Sequence, residues 1–306
     1  MIYSDKRRVF HCYQRPKNRG LIFYSFIDHL LYFTIFCSRV RNFGVTVLKL
    51  VQMPDHLHHS LEEKAPGQVP AFIGDVTRLF CREYNRGYGI SGPMFDAPFG
   101  RALKVTDKDI RSNMLYLDNN PTERQLVKNA EDYRWNYLAY AASKHPFSEK
   151  IVLRKASMPL RRALKMVKFQ HDRGKYLSLA MLRFLFKNIS TNQEQEQLID
   201  YIISTYSVIN YAASCTFFKS YQDELIAAHS VSGKEYDITE SFIGRSDRYY
   251  AIMERTLLLC GKVKDIHEIL TMPIEKKRQL YSFLRLKTDA PRKQIAIFLH
   301  IPLETV

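Results

Sequence analysis

The segment FGVTVLKLVQMPDHLHHSLEE, residues 43–63, decides the fold. Its first part, FGVTVLKLV, is rich in β-branched and aliphatic side chains and predicts a strand. After the short connection QMPD, the run HLHHSLE predicts a second strand, antiparallel to the first. Because strand side chains alternate, His56 and His58 are expected on one face, where two imidazoles can share a metal ion. Histidines are also common in half-buried strands and loops, so the pair alone leaves both interpretations open.

The flanking segments extend this hairpin into a larger pattern. Residues 8–15 and 94–105 predict strands, and residues 25–41 and 69–89 predict helices. Residues 107–120 predict a further helix, which should end before Pro121 because the residue before a proline is pushed out of helical geometry. The resulting order is the ferredoxin-like split βαβ arrangement, an α+β fold with a small antiparallel sheet that helices cover on one side.

Composition changes near residue 145, beyond which strand patterns almost vanish and helical periodicity dominates. We therefore expect two regions, a sheet-containing domain at 1–145 and a mostly α-helical, basic region at 146–306. The last stretch, residues 271–306, predicts two helices around a turn at 288–291. This pair is either the front half of a helix-turn-helix or a plain helical hairpin.

The charge of the chain indicates a polyanionic partner. Its formal net charge is +15, which favours nucleic acid and, less strongly, an anionic membrane surface. Residues 154–187 alone contain ten Lys and Arg against one acid, Asp172. Such a run can be a solvated helical face, but unbalanced charge of this density more often marks a phosphate-binding surface. The basic residues predicted to bind DNA are Arg15, Lys17, Arg19, Arg101, Arg161, Arg162 and Lys165.

Cysteine usage and the absence of a signal-peptide pattern favour a cytoplasmic protein, and the expected nucleic-acid partner would make it nucleoid-associated. The five cysteines are scattered without a CxxC pair, which indicates a reducing compartment and no structural zinc site. The apolar segment 21–40 has the length of a membrane span but contains Asp28 and His29. Because charged groups near a bilayer centre are costly, a buried amphipathic helix is the better interpretation, and we expect no membrane association.

A second segment, SNMLYLDNNP at residues 112–121, supplies a nucleophile. In a helix, Tyr116 and Asn120 are four residues apart and share one face. A metal held by two imidazoles and an amide oxygen would then have a tyrosine hydroxyl beside it, a workable unit for phosphoryl transfer. Most of the 19 tyrosines must be core or surface residues, and only these partners single out Tyr116. We interpret His11 as structural and Trp135 as a core residue.

Both segments resemble the HUH single-tyrosine transposases. VQMPDHLHHSLEE, residues 51–63, is similar to the family's Met-Pro-Asn-His-hydrophobe-His run. LYLDNNPTERQLVKNAEDYRWNYLAY, residues 115–140, resembles the run that carries the catalytic tyrosine in the REP-associated branch. That branch has Tyr-Ile-x-x-Asn-Pro followed by an Asp-Tyr-x-Trp segment, and the resemblance covers roughly residues 5–145.

The resemblance implies specific roles. His56 and His58 would bind a divalent metal, usually Mg²⁺ or Mn²⁺, with Asn120 as the third ligand and Tyr116 as the nucleophile. Such enzymes cut single-stranded DNA, often near a hairpin, leaving a 5′-phosphotyrosine link and a free 3′-hydroxyl. The chain departs from the family at Asp55, where Asn is commoner, and at Asp118, which we expect to add negative charge near a DNA phosphate.

Two other functions remain open from the sequence. One is a non-catalytic DNA-binding regulator derived from a transposase, and the other is a replication-initiator nuclease of the same superfamily. The single candidate tyrosine followed by Asn-Pro fits the transposase branch better than the initiators. Whether the protein acts as a monomer or a homodimer is not decided by the sequence.

Overall fold

The four strands form one antiparallel sheet. A computed structural model describes residues 7–17, 20–96, 99–230 and 246–302. The sheet order is β2-β3-β1-β4, with every neighbouring pair antiparallel. This is the order of the split βαβ fold, so the predicted α+β fold class is confirmed. The strands are β1 (Arg8–Gln14), β2 (Val45–Met53), β3 (His56–Glu63) and β4 (Gly100–Lys104).

Helices cover both faces of this sheet. The helices α1 (Phe26–Val40) and α2 (Gln68–Tyr88) pack on one face. The helix α3 (Asp107–Glu123), with α7 (Tyr211–Cys215) and α8 (Tyr221–Ser230), packs on the other. The prediction of a sheet covered on one side is therefore wrong. Strand β2 carries apolar side chains on both faces, so its second face also needs a covering layer.

The α3 helix continues through Pro121, contrary to the sequence prediction. Its last residue is Glu123. Helical hydrogen bonding continues past the proline, as the Arg124 amide donates to the Asn120 carbonyl. Burial of every residue of α3 from 113 to 121 stabilises the helix enough to override the local cost of proline in its last turn. Asn120 consequently keeps its helical register with Tyr116.

The later helices build a third layer and a separate cluster. Three helices pack beyond α1 and share one continuous core with it and the sheet: α4 (Met158–Asp172), α5 (Leu179–Phe186) and α6 (Asn192–Tyr206). A second core, which also includes Leu21 and Tyr24, contains residues of α9 (Arg248–Leu259), α10 (Glu268–Thr271), α11 (Ile274–Lys287) and α12 (Arg292–Phe298).

The turn at 288–291 and the apolar segment 21–40 were both interpreted from the sequence. The turn at 288–291 does separate two helices, but the residues where a recognition helix would follow, 303–306, lie outside the described part of the chain. The apolar segment 21–40 contributes α1, in which Asp28 and His29 are both buried within the protein. In the described ranges, no helix has the combination of length and apolar character that crossing a bilayer requires.

Candidate active site

Strand β3 divides its histidines between the two faces of the sheet. His56 and His58 face α3, whereas His59 points to the opposite face, as the alternation predicts. There the Tyr32 hydroxyl lies 2.8 Å from His59 Nε2, and the Phe36 ring stacks on the imidazole. Burial lowers the pKa of His59 to about 3. His59 is therefore a core residue.

The amide of Asn120 meets both remaining imidazoles. His56 Nε2 lies 3.1 Å from Asn120 Oδ1, and His58 Nε2 lies 3.4 Å from Asn120 Nδ2. The two imidazole ring centres are 4.8 Å apart. Strand β3 and the last turn of α3 thus direct three potential ligand atoms toward one point.

The donor set consists of two imidazoles and one amide, groups whose nitrogen and oxygen atoms are able to bind a divalent metal. Burial, reinforced by the neighbouring histidines and Arg15, lowers the pKa of His58 well below its usual value, so its imidazole is neutral as a metal ligand must be. No cluster of three or more His, Cys, Asp or Glu side chains within the described ranges has the geometry of a metal site.

Two further side chains orient the imidazoles. Asp55 Oδ1 accepts from His56 Nδ1 at 2.6 Å, and His11 Nε2 lies 3.0 Å from His58 Nδ1. Burial, with a smaller effect of the Lys104 charge, lowers the pKa of His11 to about 3. His11 is then a neutral acceptor that keeps the His58 proton on Nδ1 and the Nε2 lone pair directed at Asn120. His11, which we interpreted as only structural, is therefore part of this cluster.

Tyr116 lies beside the histidines on the same face of α3 as Asn120. Its ring centre is 5.5 Å from that of His58, in an edge-on arrangement, and 5.8 Å from that of His11. The sequence spacing of four residues is preserved because α3 stays helical through both positions. The structure thus brings together all four residues that the two motifs predicted.

The cluster is closed to solvent. Tyr116 is 2% exposed, and the two candidate histidine ligands and Asn120 are each at most 3% exposed. The side chain of Tyr116 is therefore shielded from solvent in this structure. The sequence motifs carry no signal for this closure.

A buried ion cluster anchors α3 behind the tyrosine. Lys49 Nζ lies 2.8 Å from carboxylate oxygens of both Asp118 and Glu224, and Asp118 is fully buried. Burial raises the pKa of Asp118 to about 7, against the opposing effect of Lys49. The two carboxylates outweigh the effect of burial on Lys49 and raise the pKa of its ammonium. Asp118 therefore pairs with β2, and the expectation that it adds charge near a DNA phosphate is wrong.

The basic residues predicted around the sheet occupy different places. Arg15 follows β1 near the site, where its charge helps to lower the pKa of His58, and Lys17 is exposed two residues later. Arg101 pairs with Cys12 across the sheet and lies on the face opposite His58. Lys104 lies on the histidine face and was missed in the sequence. Arg19 is outside the described residues.

The predicted basic helix lies far from the histidine cluster. Arg161, Arg162 and Lys165 are exposed on α4. This helix packs against α5 and α6, which pack on α1, and α1 covers the opposite face of the sheet. These three side chains therefore do not contribute to the same site as Tyr116.

Several aromatic residues around the sheet pack within the protein. Tyr84 and Phe95 are buried in the main core. The Tyr88 ring stacks on the His267 ring, with ring centres 4.1 Å apart. Trp135 stacks on His29 of α1 with ring centres 4.3 Å apart, in agreement with its predicted role as a core residue.

Comparison with known proteins found a solved structure that is similar to half of this chain. No family model matches the chain, and no curated protein matches it. The structure of a REP-associated tyrosine transposase bound to a REP hairpin is similar to 50% of this chain and 97% of its own, with a TM-score of 0.38 and 15% sequence identity. A likeness of this size does not assign a family to this chain.

Proposed function

We propose that this protein is a metal-dependent single-tyrosine nuclease and strand transferase acting on single-stranded DNA at hairpin-associated sites. The observation that carries the proposal is the meeting of Tyr116 and Asn120 of α3 with His56 and His58 of β3. A nucleophile beside three converging ligand atoms is the minimum needed for metal-assisted phosphoryl transfer.

The ligand set would hold Mg²⁺ or Mn²⁺ through His56 Nε2, His58 Nε2 and Asn120 Oδ1. When bound, the ion would polarise the scissile phosphate and neutralise charge that develops on it. Asp55 and His11 fix the orientation of the two imidazoles through their Nδ1 atoms. The protein's part in this step is to present the three ligand atoms in a buried, prearranged cluster.

Tyr116 would attack the phosphorus through its phenolic oxygen. A bond forms between the Tyr116 oxygen and the phosphorus, which stays on the 5′ end of the downstream strand. The bond from the phosphorus to the 3′-oxygen of the upstream strand breaks, and the phenol proton is released while that 3′-oxygen takes one up. In the second step, strand transfer, the 3′-hydroxyl of another strand attacks the phosphorus of the phosphotyrosine, and the released tyrosine oxygen takes up a proton to regenerate the phenol. The fixed position of Tyr116 on a buried helix limits the reaction to a phosphate seated next to His58.

The choice of DNA as substrate is supported by charge and by the two motifs. A net charge of +15 favours a polyanion, and Arg15 and Lys104 place positive charge near the cluster. The preference for a hairpin depends on the resemblance to the REP-associated branch.

A non-catalytic DNA-binding regulator is the second candidate. The near-complete burial of Tyr116 favours it, because a regulator needs no access to the tyrosine. The two functions differ in one product, the covalent protein–DNA adduct.

The test is an adduct assay. Purified protein is incubated with labelled single-stranded hairpin DNA and Mn²⁺, and the products are separated on denaturing gels, with Tyr116→Phe in parallel. Tyr13→Phe is the matched control, because Tyr13 is an exposed tyrosine on the same sheet face, with its ring centre 5.9 Å from that of His11. Mass spectrometry of the adduct identifies the modified tyrosine.

We expect an adduct that needs metal, disappears in Tyr116→Phe and persists in Tyr13→Phe. An adduct that survives in Tyr116→Phe would refute the assignment of the nucleophile. Tight binding without any adduct across a broad panel of hairpins would support the regulator instead.

A further inference from the structure

The helices α4 and α5 enclose an open groove at the surface of the third layer. Its cavity is about 520 Å³, and its lining is largely apolar, with Phe169, Phe184 and Met166. Two basic side chains, Arg162 and Lys165, also line it. We call these five residues the α4 surface.

The two phenylalanines of this surface are more than half exposed to solvent. Phe169 is 55% exposed and Phe184 is 59% exposed. The Arg173 guanidinium lies over the Phe169 ring, 5.1 Å from its centre, and adds a cation to the same surface. Paired exposed aromatic rings in a groove mark a binding site more often than an isolated exposed apolar residue does.

Positive charge continues over the helix to its other side. A second groove of about 560 Å³ is lined by Arg154, Arg161 and Lys168, and Lys165 lines both grooves. Within the described part of the chain, the ion pairs of α4 join Lys168 and His171 to Asp172. Among the described residues, no carboxylate lies within ion-pair distance of Arg162 or Lys165. The charge on α4 is therefore available to an external anion.

We propose that the α4 surface binds an unpaired segment of DNA, with bases stacked on Phe169 and Phe184 and phosphates held by Arg162 and Lys165. Exposed aromatic rings among basic side chains are how sequence-independent proteins bind single strands. The inference rests on the proposed function in one respect, the choice of DNA as the polymer. It adds a second binding site, separated from Tyr116 by α1 and the sheet.

Duplex DNA and acidic proteins fit these observations less well. In a duplex the base faces are already stacked and cannot lie on Phe169 or Phe184, so the rings would stay exposed. An acidic protein would satisfy Arg162 and Lys165 but gives no particular use for two open aromatic rings. An unpaired strand uses both the rings and the charges.

The test measures binding by fluorescence anisotropy with the full chain. All proteins carry Tyr116→Phe, and EDTA is present, so that no DNA is cut and the binding is independent of metal. The probes are a labelled thymine oligonucleotide and an abasic strand of equal length. The variants are Phe169→Leu with Phe184→Leu, and Arg162→Gln with Lys165→Gln. Lys264→Gln with Lys276→Gln removes the same charge from exposed positions outside the α4 surface and serves as the control.

The phenylalanine pair should weaken binding of the thymine strand by at least about fivefold, since base stacking contributes about 1–3 kcal/mol per base. Binding of the abasic strand should not change. The double substitution of Arg162 and Lys165 should weaken binding of both probes. It should also reduce the slope of the logarithm of the binding constant against the logarithm of the salt concentration by about 1.4. The control pair should have little effect.

Unchanged binding in the phenylalanine pair, or an equal loss for the abasic strand, would overturn base stacking. A strong preference for RNA over DNA, or for an acidic protein partner over either, would overturn the assignment of the ligand. Failure of the proposed function gives a different result, because wild-type protein would then form no adduct while the α4 surface still bound single strands.

Discussion

A buried ion cluster joins α1 to the C-terminal helices and should make the stability of the protein depend on pH. His267 Nε2 lies 2.8 Å from Asp28 Oδ2, and His267 Nδ1 lies 2.7 Å from Asp265 Oδ1. The Tyr88 ring stacks on the imidazole, and the Tyr88 hydroxyl donates to Asp28. The two carboxylates outweigh the effect of burial and raise the pKa of His267 to about 9.

The sign and size of the effect follow from this pKa. Because the folded state binds the His267 proton more tightly than the unfolded chain, its contribution is complete below the unfolded value of 6.5. It is lost as pH rises through about 9. The difference corresponds to about 3 kcal/mol of unfolding free energy. Burial raises the pKa of Glu254 to about 7, so Glu254 contributes a further decline at lower pH that ends near pH 7.

The assay is urea unfolding of wild type and His267→Gln at about pH 7 and about pH 9.5. Trp135, the only tryptophan, stacks on His29 next to Asp28 and reports the loss of this region by fluorescence. We expect wild type to lose most of the 3 kcal/mol estimated above across this interval, and His267→Gln to lose little.

The matched control is His229→Gln. His229 also faces a carboxylate, Glu131 at 3.0 Å, but its side chain is 44% exposed, so that pair should contribute at most about 1 kcal/mol. An equal pH dependence in wild type and His267→Gln would refute the reasoning, because the decline would then come from other groups.

Three further substitutions test the site and its support. Lys49→Met should lower the unfolding free energy by roughly 3–5 kcal/mol, because it leaves two buried carboxylates without their cation, and urea unfolding measures this loss. His11→Phe should weaken Mn²⁺ binding about 10–100-fold in calorimetry, because the proton on His58 Nδ1 loses its acceptor; unchanged affinity would make His11 structural only. Gly100→Val should displace Tyr13, since a Cβ at Gly100 would lie 2.0 Å from the Tyr13 ring, and near-ultraviolet circular dichroism should change.

The sequence was sufficient for most of the sheet and for the residues that meet at the site. Strand alternation placed His56 and His58 on one face, and helical spacing placed Tyr116 and Asn120 on one face. These relations are local, since they depend only on the period of a strand and of a helix. The error at Pro121 was also local in origin, because a backbone preference of one residue was given more weight than the burial of the whole helix.

What the sequence by itself determined is the strand order and the two faces that carry the candidate ligands and nucleophile. Only the tertiary structure decided that His11 contacts His58, that Asp118 pairs with Lys49, and that the cluster is closed to solvent. It also decided that the basic helix α4 lies on the far side of the sheet from Tyr116. The physical reason is that periodicity fixes the direction of a side chain within its own element, whereas its partners depend on how distant elements pack around a shared core.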